Sequence, residues 1–538
     1  MLQSPIDMAK SKIAIVILLN LIISFGFYFE NKDAKIQEIS SDLANIIPIC
    51  KKLDNINLYQ DDLFVNNVDN VKYYTPFYVQ PLRFIAKFTQ YDYLIALNVL
   101  GLITHIVYGF SWFLLFYYLK KDFWIALLFS IFIRGILWPP GGELLGISDL
   151  WTIMPRTLYL AVMPLPFLTF LYLKKYKLIV SALLLGLIFN FHPISGIGGI
   201  IIYFLILISY YYLNKQTNLL ILKKTTTALL FCVIGMIPFL MTYSVNVNNS
   251  LIIEPNLFNE AFLSRISNNF FNPILYIKSW HRPVAYIFVL LFIIFYFFDK
   301  SNKKEVFKII LISTIGVFLA ANLSVYIETF INNTFHKNLR LSFQLIRFQK
   351  FILLLFQIAI FFLIIELSAK YKVKEHFKAA VFFIYLLFIA ISNNPIFDKV
   401  PLLSDDLTRS ILPSNLQLSK AKPVDVSLSL MVEYIERNTK SNAVFFGKES
   451  YLIRAGAGRS VVLDSKGAGM LIEGNPAKFI SWYQERQHFK SLNTANKILF
   501  LRNKKVNYIM DDKPWEGLDP IKTIGNVNLY KIEFNERN

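Results

Sequence analysis

An acidic doublet lies in a polar segment, residues 57–81, between two long apolar runs. Asp61 and Asp62 are adjacent carboxylates, and two neighbouring like charges resist simultaneous ionisation when water is partly excluded. A partly desolvated carboxylate acts as a general base toward a hydroxyl group. The doublet therefore predicts proton abstraction at a membrane surface. The alternative is an exposed turn or a helix N-cap, since two adjacent aspartates form a weak motif.

Basic residues in the predicted outer loops suit a phosphate group. Arg156, Arg282 and Arg347 each lie near the start of an apolar run, and His192 precedes Pro193 at the end of another. A guanidinium group presents a planar pair of donors that matches phosphate oxygens. We predict that these four residues bind the phosphate of a lipid-linked donor. Alternatively, the arginines pair with loop carboxylates or lipid headgroups, and His192 is a structural histidine.

The composition fixes the class of protein. The chain has 538 residues, of which 55% are hydrophobic and 16% aromatic, and its mean hydropathy is +0.47. So much apolar surface excludes a soluble globular protein. The formal net charge of +19 arises from lysines in short clusters between apolar runs, which is a topological pattern. No nucleic-acid partner is predicted.

The apolar runs predict about eleven transmembrane helices at 1.5 Å per residue. Lysine clusters follow every even-numbered run, which places the N-terminus in the cytoplasm and the intervening loops outside. The runs are 13–29, 94–119, 123–138, 156–173, 178–193, 194–213, 225–243, 283–298, 306–325, 347–367 and 379–393.

Four segments make up the predicted domain organisation. Residues 1–393 form the transmembrane module, within which residues 30–93 are a first outer loop with an amphipathic helix on the membrane, indicated by apolar residues from Ile36 to Ile47. Residues 394–427 are a linker, and residues 428–538 form an extracytoplasmic α/β domain. Helices are predicted at 432–438, 476–487 and 494–505, and strands at 443–446, 460–463, 506–510 and 527–532.

The C-terminal domain carries a second group of charged residues. Arg459, Asp464 and Lys466 follow one another closely beside a predicted strand. We predict that Arg459 and Lys466 cap an active cavity or bind an acceptor. The alternative is a surface ion pair beside a buried strand.

Several short motifs lie along the chain: 58–65 (LYQDDLFV), 154–156 (MPR), 191–193 (FHP), 344–347 (QLIR) and 454–466 (RAGAGRSVVLDSK), with Trp482 and Arg486. They resemble those of GT-C-type integral membrane glycosyltransferases that use polyprenyl-phosphate-linked sugars, in a poorly characterised bacterial branch. The similarity in plan covers the whole chain, although no stretch of the WWDYG type is present, which argues against an oligosaccharyltransferase. The resemblance implies that the first-loop aspartate is the base and that outer-face cations bind the donor phosphate.

The expected protein is thus an α-helical polytopic membrane protein of GT-C type with a C-terminal soluble α/β domain, in a bacterial inner membrane. It is expected to transfer a sugar to a glycan, lipid or protein acceptor while surrounded by membrane lipids. Asp62 is expected to be the base, with Asp61 supporting it or serving as the alternate base. No obligatory cofactor is implied, although the acidic pair suits Mg²⁺ or Mn²⁺. The alternatives are a transporter or assembly subunit for lipid-linked polysaccharide, and a polysaccharide polymerase or ligase.

Overall fold

The computed structural model describes residues 8–72, 74–135, 153–244, 255–266, 268–280, 282–301, 304–335, 339, 341–391, 405–418 and 425–533. The chain divides into two compact units. We call Met1–Asn31, Val99–Met241 and Ser267–Ala421 the helical unit, and Lys32–Asn98, Thr242–Ile266 and Lys422–Asn538 the sheet unit.

The α-helices are numbered in chain order. The first twelve are α1 Lys10–Glu30, α2 Leu43–Asp54, α3 Pro76–Ala86, α4 Tyr93–Lys120, α5 Phe123–Phe132, α6 Pro155–Val162, α7 Pro164–Tyr172, α8 Lys177–Phe189, α9 Pro193–Leu213, α10 Asn218–Ser244, α11 Pro255–Leu263 and α12 Pro273–Trp280. The others are α13 Arg282–Phe298, α14 Glu305–Phe335, α15 Ser342–Leu345, α16 Phe351–Lys370, α17 Glu375–Ile391, α18 Asp405–Ile411, α19 Ser427–Asn438, α20 Tyr451–Ala455, α21 Ala468–Gly474, α22 Pro476–Ser491 and α23 Thr494–Asn503.

The helical unit contains the membrane-crossing helices of a multi-pass membrane protein. In the described part of the chain, 6 helices are long and apolar enough to cross a membrane. Helical structure occurs in each of the eleven predicted apolar runs, but several of these helices are shorter, and the run 156–173 is divided into α6 and α7 at Pro164. The number of crossings therefore stays a prediction. The six are Lys10–Glu30, Tyr93–Lys120, Pro193–Leu213, Asn218–Thr242, Glu305–Phe335 and Ser342–Lys370.

The sheet unit is built on a five-stranded mixed sheet in the order β2-β1-β3-β5-β4. β1 pairs with β2 and β3 in parallel, whereas β5 pairs with β3 and β4 antiparallel. Four strands occupy predicted positions, and β4 was missed because an edge strand with Pro520 and Lys522 has little apolar pattern. The strands are β1 Val444–Gly447, β2 Ser460–Val461, β3 Tyr508–Asp511, β4 Pro520–Ile524 and β5 Val527–Lys531.

The first outer loop belongs to the sheet unit, which differs from the predicted division of the chain. Its first helix, α2, begins at Leu43 rather than at Ile36. Leu43, Ile46 and Ile47 are at most 2% exposed, because α2 packs on α20 and α3 within the unit. The apolar face that predicted a helix on the membrane is therefore covered by protein.

Part of the predicted linker is folded structure in the helical unit. After α18, Asn415 Nδ2 donates to Gly26 O at 2.8 Å and Ser414 Oγ donates to Glu30 Oε1 at 2.6 Å. A Cβ on Gly26 would lie 2.7 Å from Pro413 Cγ, so the absence of a side chain allows this close approach to α1. The flanking parts of the predicted linker, 394–404 and 419–424, lie outside the described residues.

Candidate active site

Asp62 is completely buried in the sheet unit and both of its carboxylate oxygens are occupied. Oδ1 accepts the backbone N–H groups of Phe64 at 2.9 Å and Val65 at 3.1 Å. Oδ2 accepts Arg454 Nε and the Val461 N–H, both at 2.9 Å. These four donors occupy the hydrogen-bonding capacity of both oxygens. Asp62 therefore joins the first outer loop to strand β2 and helix α20.

Arg454 connects Asp62 to a second buried carboxylate. Its Nη1 lies 2.9 Å from Asp464 Oδ2, and its guanidinium lies 4.8 Å from the centre of the Phe64 ring. Burial would lower the pKa of Arg454, but the charges of Asp62 and Asp464 outweigh burial and raise it. The cluster of Asp62, Arg454 and Asp464 thus holds three chain segments together.

Asp61, in contrast, is exposed to solvent on a turn that contacts of buried side chains hold in place. Tyr59 takes a left-handed conformation with φ of 61°, and its buried Oη donates to Arg454 O at 2.8 Å. The buried Lys52 Nζ donates to Ile56 O at 2.6 Å and to Leu58 O at 2.7 Å. The doublet is therefore divided, with one carboxylate anchored inside and its neighbour presented to solvent.

The acidic pair does not fit a chelating metal site. A divalent cation needs oxygens with free lone pairs in its first coordination shell, and the two oxygens of Asp62 already accept four hydrogen bonds. Among the described residues, no group of three or more His, Cys, Asp or Glu side chains has the arrangement of a metal site. Metal dependence stays a prediction.

The helical unit brings together three of the four predicted phosphate-binding residues. His192 is the N-cap of α9, where its Nδ1 accepts the Ser195 N–H at 3.1 Å. A backbone N–H only donates, so Nδ1 is unprotonated and the proton of the neutral ring is on Nε2. Burial, followed by the charges of Lys350, Arg156 and Arg347, lowers the pKa of His192 well below 6.5. His192 is therefore a neutral donor among three cations.

Glycines at the start of α9 allow this assembly. A Cβ on Gly199 would overlap Tyr159 Oη of α6, and a Cβ on Gly198 would overlap the Phe351 ring and lie 3.2 Å from Phe348 Cβ. Helix α6 carries Arg156, and the 3₁₀ segment Ile346–Lys350 carries Arg347 and Lys350. The small residues thus bring both elements close to the N-terminus of α9, the positive end of its dipole.

Local contacts hold the cations of this cluster in place. Arg347 Nη1 donates to Gln344 Oε1 at 2.9 Å, and its guanidinium lies 5.5 Å from the centre of the Phe270 ring. Lys350 is buried at 5% exposure, and Arg156 is half-buried. The fourth predicted residue, Arg282, begins α13, but its side chain lies outside the described residues.

The two predicted acceptor residues have different surroundings. Arg459 donates to Ala457 O at 2.7 Å, and to Glu436 O at 2.8 Å and Thr439 O at 2.9 Å at the end of α19. Lys466 Nζ lies 2.6 Å from Asp42 Oδ1, and the residue lines a pocket. Arg459 therefore serves the fold, whereas Lys466 is placed where a ligand can reach it.

Sequence reasoning did not select Lys350 as a phosphate-binding residue and gave Arg454 no individual role. Lys350 lies three positions after Arg347, one helical turn on, so its spacing was an available signal. The SGIGG run at 195–199 was a second signal, because repeated glycines in an apolar helix indicate close packing. Nothing in the sequence indicates that Arg454 bridges two carboxylates, since Asp62 is 392 positions away.

Known proteins resemble this chain in structure. No protein-family model matches it, and no curated protein matches its sequence. The structure of ArnT from Cupriavidus metallidurans bound to undecaprenyl phosphate is similar over 97% of this chain and 98% of that chain, with 10% identity and a TM-score of 0.52. The apo state of the same protein is similar over 95% and 97%, with 10% identity and a TM-score of 0.50.

The archaeal oligosaccharyltransferase AglB from Archaeoglobus fulgidus, solved with an inhibitory peptide and a dolichol-phosphate, covers 94% of this chain and 69% of its own, at 11% identity and a TM-score of 0.48. Identities this low show the fold alone. The ArnT structures confirm the predicted GT-C-type fold for this chain.

Proposed function

We propose that the protein is an integral membrane glycosyltransferase that moves a sugar from a polyprenyl-phosphate-linked donor to an acceptor hydroxyl on the extracytoplasmic side. The observation that carries the proposal is the group of Arg156, Arg347 and Lys350 around His192 at the N-terminus of α9. Support comes from the fold, which is that of an ArnT solved with bound undecaprenyl phosphate. The membrane is proposed to be a bacterial inner membrane, with the N-terminus in the cytoplasm.

The cations bind the lipid phosphate and stabilise it as it leaves. Phosphate oxygens accept from the two guanidinium groups and the ammonium group, which are charge-assisted hydrogen bonds. His192 donates from Nε2 while Nδ1 stays fixed by Ser195. When the bond between the anomeric carbon and the phosphate oxygen breaks, its electron pair stays on the phosphate, and preorganised donors stabilise that charge.

Asp61 is the proposed proton acceptor, with Asp62 as its anchor. The acceptor hydroxyl loses its proton to Asp61 as its oxygen forms the new bond to the anomeric carbon. Asp62 is unsuited to this step because four hydrogen bonds and burial remove it from any substrate. The exposed Asp61 has an open carboxylate on a backbone that Tyr59 and Lys52 hold in place.

The experiment measures cleavage of the donor. The protein is reconstituted in liposomes with a radiolabelled polyprenyl-phosphate sugar and cell-envelope glycan, and release of polyprenyl phosphate is followed. We expect release by the wild type and at least about tenfold less by an Arg156→Gln, Arg347→Gln variant, because charged hydrogen bonds contribute about 1.5–3 kcal/mol each. Movement of intact lipid-linked glycan across the bilayer without cleavage would instead identify a transporter.

A further inference from the structure

A pocket of about 490 Å³ lies within the sheet unit. Ligand pockets for small molecules commonly have volumes of about 300–1,000 Å³, with apolar walls and a few polar groups that orient the ligand. Here the walls include the aromatic side chains of Phe446, Tyr451 and Phe489. The size suits one sugar unit with a substituent.

Positive charge predominates in the lining of this pocket. Asp464 contributes negative charge, but its Oδ1 already accepts Lys466 N–H at 2.9 Å, and its Oδ2 accepts Gly467 N–H at 2.8 Å and Arg454 Nη1 at 2.9 Å. Lys466 Nζ is paired with Asp42. The charged lining residues are the cations Arg265, Lys466, Arg486 and Lys490 and the carboxylates Glu449 and Asp464.

Two arginines supply the binding groups. Arg265 Nη2 donates to Lys466 O at 3.2 Å, while its Nε is buried with no hydrogen-bond partner among the described residues. Arg486 lies 5.4 Å from the centre of the Trp482 ring, which holds its guanidinium in a fixed position. Burial lowers the pKa of both arginines and outweighs the charge of Asp464, which raises both, while the charge of Arg486 lowers the pKa of Arg265. Two guanidinium groups that repel one another are stabilised by an anion that contacts both.

A glycine makes room for this arrangement. A Cβ on Gly469 would lie 2.5 Å from Arg265 Nη2, closer than real Cβ contacts allow. The close approach of Arg265 to the start of α21 therefore requires the absence of a side chain at position 469.

We propose that this pocket binds an anionic saccharide, a sugar that carries a phosphate or a carboxylate, as part of the acceptor. The aromatic walls contact the sugar ring, and the guanidinium groups of Arg265 and Arg486 bind the anionic substituent. The assignment of the bound sugar to the acceptor rests on the proposed function, whereas the binding of the sugar does not. The lipid-linked donor has its own cations in the helical unit.

Calorimetry on the full-length protein in detergent tests the pocket without any donor. The probes are glucose 6-phosphate, glucuronate, glucose and inorganic phosphate, each added alone. We expect one or both charged sugars to bind at least about tenfold more tightly than glucose or phosphate, and Arg486→Gln to weaken that binding at least about tenfold. Arg265→Gln should act in the same direction. Arg437→Gln, an exposed arginine on α19, is the matched control and should bind as the wild type does.

Four results would overturn the proposal. The first three are equal affinity for glucose and the charged sugars, charged-sugar binding that is unchanged in Arg486→Gln, and displacement of the sugar when polyprenyl phosphate is added as a competitor. Inorganic phosphate binding as tightly as glucose 6-phosphate would remove the saccharide from the proposal and so refute it. Failed binding leaves the transferase proposal standing, because no donor is present. A wild type that binds glucuronate but never cleaves the donor refutes the transferase proposal alone.

Discussion

Two charged clusters in this protein differ in the signs of the charges that they bring together. In the sheet unit, Asp62 and Asp464 lie on either side of the buried Arg454 at 2.9 Å, so that charges of opposite sign satisfy one another. In the helical unit, Arg156, Arg347 and Lys350 direct charges of one sign toward the neutral His192 at a helix N-terminus. Mutual satisfaction makes the first cluster structural. The second cluster carries positive charge only, which suits the binding of an anionic ligand.

The largest expected effect is on the stability of the sheet unit. Arg454→Met leaves two buried carboxylates without their cation, and removal of one partner from a buried ion pair costs about 3–5 kcal/mol. The melting temperature, followed by tryptophan fluorescence in detergent, should fall by several degrees or more. Lys448→Met, which removes the exposed pair with Asp512, is the control and should leave it unchanged. Equal shifts in the two variants would show that the buried cluster is not a structural anchor.

The next effect is on donor affinity in the helical unit. Arg156→Gln and Arg347→Gln should each weaken the binding of polyprenyl phosphate by about tenfold or more, since each removes a charge-assisted hydrogen bond. Titration calorimetry measures the affinity, and Lys174→Gln, an exposed cation of the same unit, serves as the control. Wild-type affinity in both arginine variants would place the phosphate elsewhere.

A smaller effect should follow from the packing at the start of α9. Gly199→Ala places a methyl group against Tyr159 Oη, which displaces α6 and with it Arg156. Donor affinity should fall several-fold. Tyr159 Oη has no hydrogen-bond partner among the described residues, so Tyr159→Phe removes the overlap at little cost and should restore affinity in the double variant. Failure of this rescue would mean that the glycine acts through another contact.

The smallest expected effect is on the pH dependence of stability. The pKa of His192 in the folded protein lies below its ordinary value of 6.5, so the unfolded chain takes up the proton first as the pH falls. The contribution of His192 to stability is therefore present above about pH 6.5 and is lost as the pH falls toward the folded pKa. His192→Gln should lose less melting temperature than the wild type between about pH 7.5 and about pH 5.5. An identical pH dependence in the two proteins would contradict the neutral state of His192.

The sequence predicted the class of fold because apolar runs and lysine clusters follow directly from the properties of the bilayer. It also located four of the five strands, whose apolar residues form a local pattern. Arg156, His192 and Arg347 were singled out by residue type, because cations at the ends of apolar runs are unusual. Only the structure shows that they lie close together, because the glycines of α9 allow α6 and the 3₁₀ segment to approach that helix.

The difference between Asp61 and Asp62 was beyond sequence reasoning. Both residues are aspartates in one turn, and the choice of which carboxylate turns inward depends on Arg454 and Val461, about four hundred positions later in the chain. The burial of α2 depends in the same way on α20, so its apolar face gave the same sequence pattern as a membrane-bound helix. In both cases a segment that is distant in the sequence determines which side chains are buried.

The most direct measurement compares Asp61→Asn, Asp62→Asn and Asp69→Asn in the donor-cleavage assay, with the melting temperature of each variant recorded alongside. General-base catalysis contributes about 100- to 10,000-fold, so Asp61→Asn should lose that much transfer while its melting temperature stays that of the wild type. Asp62→Asn should lower the melting temperature, and Asp69→Asn, an exposed carboxylate of the same loop, should change neither quantity. Full transfer by a well-folded Asp61→Asn variant would contradict the account.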